Sequence, residues 1–164
     1  MFILPALFAF VLVVLVPAVK GFYYSFTDWN GIGKNAVFVG ISNYGKLLSD
    51  SRFWNSFLFT FVFAICSVIC INAVGFGLPL VAPAFAIGLF LSISDSFKMF
   101  DQTLSLTAGG PANSTEMIAL NIYNTAFKES KLGQAQAKAV VFLIVVVVIS
   151  VTQLILSRRK EVEM

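Results

Sequence analysis

"VGFGLPLVAPAF" (residues 74–85) lies inside an apolar run from Phe57 to Leu91 and carries two glycines and two prolines at its centre. Its reading decides the fold. It is one kinked helix, two helices joined by a tight turn, or a junction where other sequence is missing. A single helix over the 35 residues from Phe57 to Leu91 would be ~50 Å long at ~1.5 Å per residue, far beyond a bilayer core of ~30 Å. Two spans fit instead, "FLFTFVFAICSVICINAVGF" (57–76) and "LPLVAPAFAIGLFLSISDSF" (78–97). Gly75, Gly77 and Pro79 then act as the breaker. Pro79 suits a first helical turn, where its missing N–H is not needed, and Pro83 would kink the helix one turn further in.

The composition agrees with a bilayer protein. The chain of 164 residues is 59% hydrophobic and 12% charged, about half the ~25% charge of soluble domains, and its mean hydropathy is +0.90. There is no histidine, which removes the commonest general base and transition-metal ligand. The net charge of +3 is scattered through loops and the tail, so lipid explains it and nucleic acid is not implied as a partner. Cys66 and Cys70 sit one helical turn apart in an apolar segment and are expected to pack as small buried apolar groups.

Outward from the central run, "MFILPALFAFVLVVLVPAV" (1–19) is uncharged and just long enough to span. A signal peptide is the rival reading, but it would want a basic n-region. "AVVFLIVVVVISVTQLIL" (139–156) is the last span. The expected architecture is an all-α membrane protein forming a single transmembrane domain over 1–164, with about four transmembrane helices near 2–19, 57–76, 78–97 and 136–156. Arg158, Arg159 and Lys160 favour a cytoplasmic tail at 157–164. An even number of spans then turns the loops 20–55 and 98–135 outward, although Lys20, Lys34, Lys46 and Arg52 in the first loop pull against that. "TDWNGIGKN" has turn chemistry, and "NYGKLLSDSRFW" suits a short interfacial helix flanked by aromatic residues. In the second loop Gly109, Gly110 and Pro111 enforce a turn. Asn113 followed by Glu116 resembles a capping box. The helix after it reads as amphipathic, with Leu120, Tyr123 and Phe127 on one face and Asn121, Asn124 and Lys128 on another.

Polar groups inside the spans are the candidates for a solute path: Asn72, Ser92 and Ser94. Back-bonding to helix carbonyls is the plainer reading of the serines, and pairing with Lys98 is the plainer reading of Asp95. Gln153 suits a hydrogen bond between helices. The Asn113-Ser114-Thr115 match to a glycosylation sequon is more simply explained by helix capping. No phosphate-cradling Gly-Lys-Ser/Thr loop, nucleophile–base pair or metal-ligand cluster is present, so catalytic and metal sites are none and no cofactor is expected in this chain.

Several stretches resemble the permease subunit of bacterial binding-protein-dependent ABC transporters for carbohydrates. "LPALFAFVLVVLVPAVKGFYYSFTDWNGIG" (4–33) is similar to their first span, and "FVGISNYGKLLSDSRFWNSF" (38–57) to the segment before their second. Residues 78–128, with the Gly109-Gly110-Pro111 loop as the most specific piece, are similar to their fifth span and the loop after it. "GQAQAKAVVFLIVVVVISVTQLILSRRKEVEM" (133–164) resembles the sixth span and tail. The family's third and fourth spans and its Glu-Ala-Ala coupling loop are absent, and only the closing Leu78 and Pro79 of that loop remain. The opening stretch therefore reads as a junction.

The resemblance implies a multi-pass subunit of the bacterial plasma (inner) membrane that imports a sugar or related polyol without itself hydrolysing ATP. Its implied partners are the lipid bilayer, a second permease subunit, ATPase subunits whose docking lacks its usual helix, and an extracytoplasmic sugar-binding protein. Span three would line the path with Ser92 and Ser94. The outward loop with Gly109, Gly110, Pro111 and Asn113 would face the binding protein. Gly75, Gly77, Ala82, Ala84, Ala86 and Gly88 would allow close helix approach to a sister subunit. The alternative is a non-transporting membrane remnant or a scaffold that binds permease partners. A membrane enzyme would need convergent ionisable groups, and none stands out.

Overall fold

The structure, a computed structural model, describes residues 3–33, 36–75 and 99–161. The described residues are helical and form no strand beyond an isolated antiparallel bridge between Thr27 and Phe38. The helices are α1 (Ile3–Phe10), α2 (Val16–Tyr24), α3 (Ser42–Leu48), α4 (Ser51–Gly75), α5 (Phe100–Leu106), α6 (Ile118–Tyr123) and α7 (Leu132–Glu161). A π-helical turn, Val11–Leu15, joins α1 to α2, and the Val16 N–H closes it by bonding the Val11 carbonyl. A second one, Asn124–Lys128, follows α6.

Among the described residues, three helical stretches are long and apolar enough to cross a membrane: Leu4–Tyr24, Ser51–Cys70 and Leu132–Thr152. This is an all-α membrane protein. The stretches are longer than the bare apolar runs because polar ends continue the helices. Lys20 lies within α2, "SRFWNS" opens α4, and α7 runs on through the basic tail to Glu161. Their apolar side chains stand largely uncovered, as at Val13 (72% exposed) and Ile69 (61%). Such a surface needs lipid or partner helices around it. Cys66 and Cys70 share it. Both are exposed and free, so the expectation of buried thiols fails. They lie one helical turn apart on an exposed face of α4. The proposed span 78–97, and with it Leu78, Pro79, Ser92, Ser94, Asp95 and Lys98, lies outside the described residues.

The chain divides into two compact units. The first comprises residues 1–50 and 122–140. Within it the "TDWNGIGKN" loop turns as its chemistry suggests. The Asn30 side chain accepts the Ile32 N–H at 3.0 Å, and Gly31 and Gly33 take left-handed φ of 88° and 81°. The buried Asn43 of α3 donates to the carbonyls of Ser25 and Thr27 at 2.9 and 2.8 Å. The first turn of α7 meets the same loop. The Gly133 N–H, one of the donors a helix start leaves unpaired, bonds the Trp29 carbonyl at 2.8 Å. A Cβ on Gly133 would collide with the Thr27 carbonyl oxygen, so only glycine fits. Lys138 of α7 is buried and reaches Asp50 Oδ2 at 2.7 Å and Thr125 Oγ1 at 2.9 Å.

The second unit comprises residues 51–121 and 141–164. Its packed part is the face of α4 bearing Phe53, Ser56, Thr60 and Ala64, all buried, with Met117, Ile118 and Leu120. The spacing of three to four residues on α4 is that of one helical face.

Candidate functional site

The best-built feature of the second unit is the loop between α5 and α6. α5 hands over at Thr107, whose Oγ1 accepts the Gly109 N–H at 3.3 Å. The chain then reverses through Ala108 and Gly109, with φ of 49° and 87°, a cis bond between Gly110 and Pro111, and Ala112 and Asn113 at 51° and 61°. Thr115 closes the reversal, its hydroxyl shared between Thr107 Oγ1 and the Gly110 carbonyl, both at 2.8 Å. Gly109 is buried here. A Cβ on it would come 3.3 Å from Glu116 Cβ and 3.4 Å from a Leu120 methyl. Residues 111–114 are left exposed at the tip.

The far end of the loop is held on α4 by a polar stripe at four-residue spacing: Arg52, Ser56 and Thr60. Glu116 is fully buried. Arg52 grips it with two parallel bonds, Nε to Oε2 at 2.8 Å and Nη2 to Oε1 at 2.7 Å, the fork geometry that suits a carboxylate. Ser56 Oγ donates to Oε2 at 3.3 Å and Asn121 Nδ2 at 3.1 Å. Thr60 accepts the Ile118 N–H at 2.9 Å and passes its own proton to the Ser56 carbonyl at 2.7 Å. A buried carboxylate is costly unless paired and hydrogen-bonded; here four donors meet it. Arg52 also lines, with Asn55, Ala112, Asn113 and Ser114, a polar depression beside the tip. On the other side of the loop an apolar cavity of about 210 Å³ is lined by Phe59, Phe63, Met99, Leu106 and Met117 among others. Among the described residues no cluster of His, Cys, Asp or Glu would hold a metal.

Of the residues singled out from the sequence, Gly109, Gly110, Pro111 and Asn113 come together in this loop. Asn72 lies near the end of α4. Ser92, Ser94, Leu78 and Pro79 are outside the described residues. Two expectations are corrected. Asn113 and Glu116 form no capping box. Asn113 is left-handed at φ 61°, the helix starts at Ile118, and Glu116 turns to Arg52 instead. The helix after the loop is not amphipathic in the expected sense. Asn121 and Asn124 are buried, while Tyr123 and Phe127 are exposed and contact each other at 5.0 Å between ring centroids. Asn121 is drawn in by Glu116. The aromatic pair is exposed, as suits side chains that collect at the headgroup level. The sequence reading missed Arg52, Ser56, Thr60 and Asn121. The signal was available: three polar residues at positions i, i+4 and i+8 of an otherwise apolar helix.

Comparison with known proteins supplies the family. The chain is 31% identical to the probable starch degradation products transport system permease protein AmyD of Thermoanaerobacterium thermosulfurigenes, over 278 positions covering all of this chain and 95% of that protein. The chain belongs to the ABC sugar-transport permeases. The permease is also 38% identical over 85 residues to the multiple sugar-binding transport system permease protein MsmF of Streptococcus mutans, covering 52% of this chain and 29% of that one. With a putative ABC transporter permease protein of Caldicellulosiruptor it shares 33% identity over 84 residues, 51% of the permease and 60% of the relative. In both, the permease thus matches less than two thirds of the relative's length. No family model matches the chain. Its relatives are named as transport permeases and not as enzymes. With three bilayer-length helices among its described residues, the permease is a multi-pass protein of the plasma membrane.

Proposed function

We propose that the chain is the permease subunit of an ATP-driven bacterial importer for a sugar or a related polyol, shortened inside. The observation that carries this is the alignment with the Thermoanaerobacterium protein. It runs over 278 positions, this chain has 164 residues, and so 114 positions or more have no residue of this chain opposite them. Because the alignment takes in all of the chain, that deficit falls between its ends. The resemblance supports a junction at Gly77–Leu78, where the Glu-Ala-Ala coupling loop and the two spans around it would stand. That relative's name speaks of starch degradation products, which supports a carbohydrate as the solute.

In this reading ATP is hydrolysed by separate subunits, a second permease completes the translocation path, and an extracytoplasmic protein delivers the sugar. The basic tail is cytoplasmic, and the Gly109–Ser114 loop faces outward toward the delivering protein. Asn72, Ser92 and Ser94 line the path. Leu78 and Pro79 are all that is left of the coupling loop, so the ATPase lacks its usual docking helix. The internal deficit also favours a second reading, a membrane remnant or scaffold that pairs with permease partners without transport.

Co-expression with the neighbouring transporter genes separates the two. The chain is tagged at its C-terminus, extracted gently and assayed for ATPase subunits and for uptake of labelled sugar. An ATPase co-purifying at fixed stoichiometry, with uptake, supports the importer. A folded chain in the membrane with no ATPase and no uptake leaves the scaffold.

A further inference from the structure

The Arg52–Glu116 pair lies where a loop of small residues would not be expected to need a buried charge. Three features bear on its role. Glu116 is fully buried, and the donors described for it come from α4, on which the loop rests, and from α6, which follows it. Its own Cβ and Cγ lie against the Gly109 backbone, at 3.3 and 3.6 Å from where a Cβ would be. The carboxylate and the start of the reversal are thereby mechanically linked. Arg52, whose guanidinium grips Glu116, also lines the depression beside the exposed tip. Buried ion pairs are weak sources of net stability and can often be replaced by apolar side chains. What a forked pair supplies is a fixed geometry.

We propose that Arg52 and Glu116 are positioning residues, whose ion pair sets where the Pro111–Ser114 tip stands over α4 and so how that tip meets the extracytoplasmic sugar-binding protein. The second half rests on the reading under Proposed function. The first half does not. Because Arg52 is spent on Glu116, the exposed tip offers Pro111, Ala112, Asn113 and Ser114, all uncharged, and the contact is made by neutral groups rather than by this charge.

The test reads the two halves separately, in the full chain assembled with its co-expressed subunits in lipid nanodiscs. Cys66 and Cys70 are replaced by alanine, and spin labels are placed at Asn55→Cys on α4 and Asn113→Cys on the tip. The variants are Glu116→Gln and the double variant Arg52→Met with Glu116→Leu, which removes both charges together and so keeps a foldable, apolar contact. The expected result is a narrow distance distribution in the parent that becomes about two-fold broader in both variants. Without labels, the same variants should bind the purified sugar-binding protein about ten-fold more weakly, a change of ~1.4 kcal/mol. A distribution that stays narrow in the double variant overturns the inference, whatever happens to binding. Broadening without weaker binding overturns its functional half. If the parent itself does not bind the sugar-binding protein, the proposed partner falls, while broadening would still uphold the positioning role.

Discussion

In the unit formed around residues 51–121 the buried member of the ion pair is the acid. Glu116 is fully enclosed, and the Arg52 side chain is 32% exposed. In the unit formed by residues 1–50 and 122–140 the roles are exchanged. The Lys138 side chain is 6% exposed, and its partner Asp50 is 28% exposed. Two residues apart in sequence, Asp50 and Arg52 each supply the wetter half of a pair inside their own unit. The lesson concerns which loss is costly. A half-exposed ion that loses its partner can take water instead, whereas an enclosed one cannot. The base should therefore be the sensitive partner in one unit, and the acid in the other.

The largest effect should come from Arg52→Ala. It leaves the Glu116 carboxylate enclosed without its guanidinium and should cost about 3–5 kcal/mol, read as a lowered thermal midpoint in detergent. Glu116→Gln, which keeps the shape and strands only the wetter Arg52, should cost about 1 kcal/mol. Equal losses for the two would break the comparison. In the other unit Asp50→Ala should be the costly change, about 3 kcal/mol, tempered because Thr125 still accepts from Lys138. Lys138→Met, with its apolar stem retained, should cost about 1 kcal/mol or less. Limited proteolysis near residues 122–140 would show whether that order holds.

A glycine in each unit extends the contrast from charge to close approach. Gly133→Ala puts a methyl against backbone, which cannot swing aside, and should cost about 3 kcal/mol or prevent stable accumulation in the membrane. Gly109→Ala meets side chains that can shift by tenths of an ångström, but its φ of 87° is left-handed. About 1–2 kcal/mol is expected, confined to faster amide exchange in the loop. The smallest change is Ala112→Gly, where a residue at φ 51° gains the freedom it lacks. Stability should rise or fall by less than about 1 kcal/mol, and a clear loss would argue against the left-handed turn.

Legibility followed range in sequence. The three bilayer-length helices could be read from uncharged apolar runs, because a span is a local property. The turn at Asn30–Gly33 was legible for the same reason, and so was the reversal at Gly109–Pro111. The pairing of Arg52 with Glu116 was not, since 64 residues separate them and neither has a local pattern that points to the other. Glu116 was read as a local cap because the nearest candidate partner in sequence was Asn113. The burial of Asn121 and Asn124 was illegible in principle from helical periodicity, which assumes that apolar faces turn inward. In a protein that meets lipid, aromatic faces can turn out and amides in.

The π turn at Val11–Leu15 has a consequence of a different kind. It holds one residue more than an α-helical path of the same length. Deleting any one of those five residues should let the first span close as an uninterrupted α-helix. Ile3–Phe10 would then keep its aspect relative to Val16–Tyr24, because the wide turn already absorbs the extra residue. The wide turn thus takes up one added residue without turning the span's first half, and a one-codon deletion there would leave the loop and both ion pairs as they are.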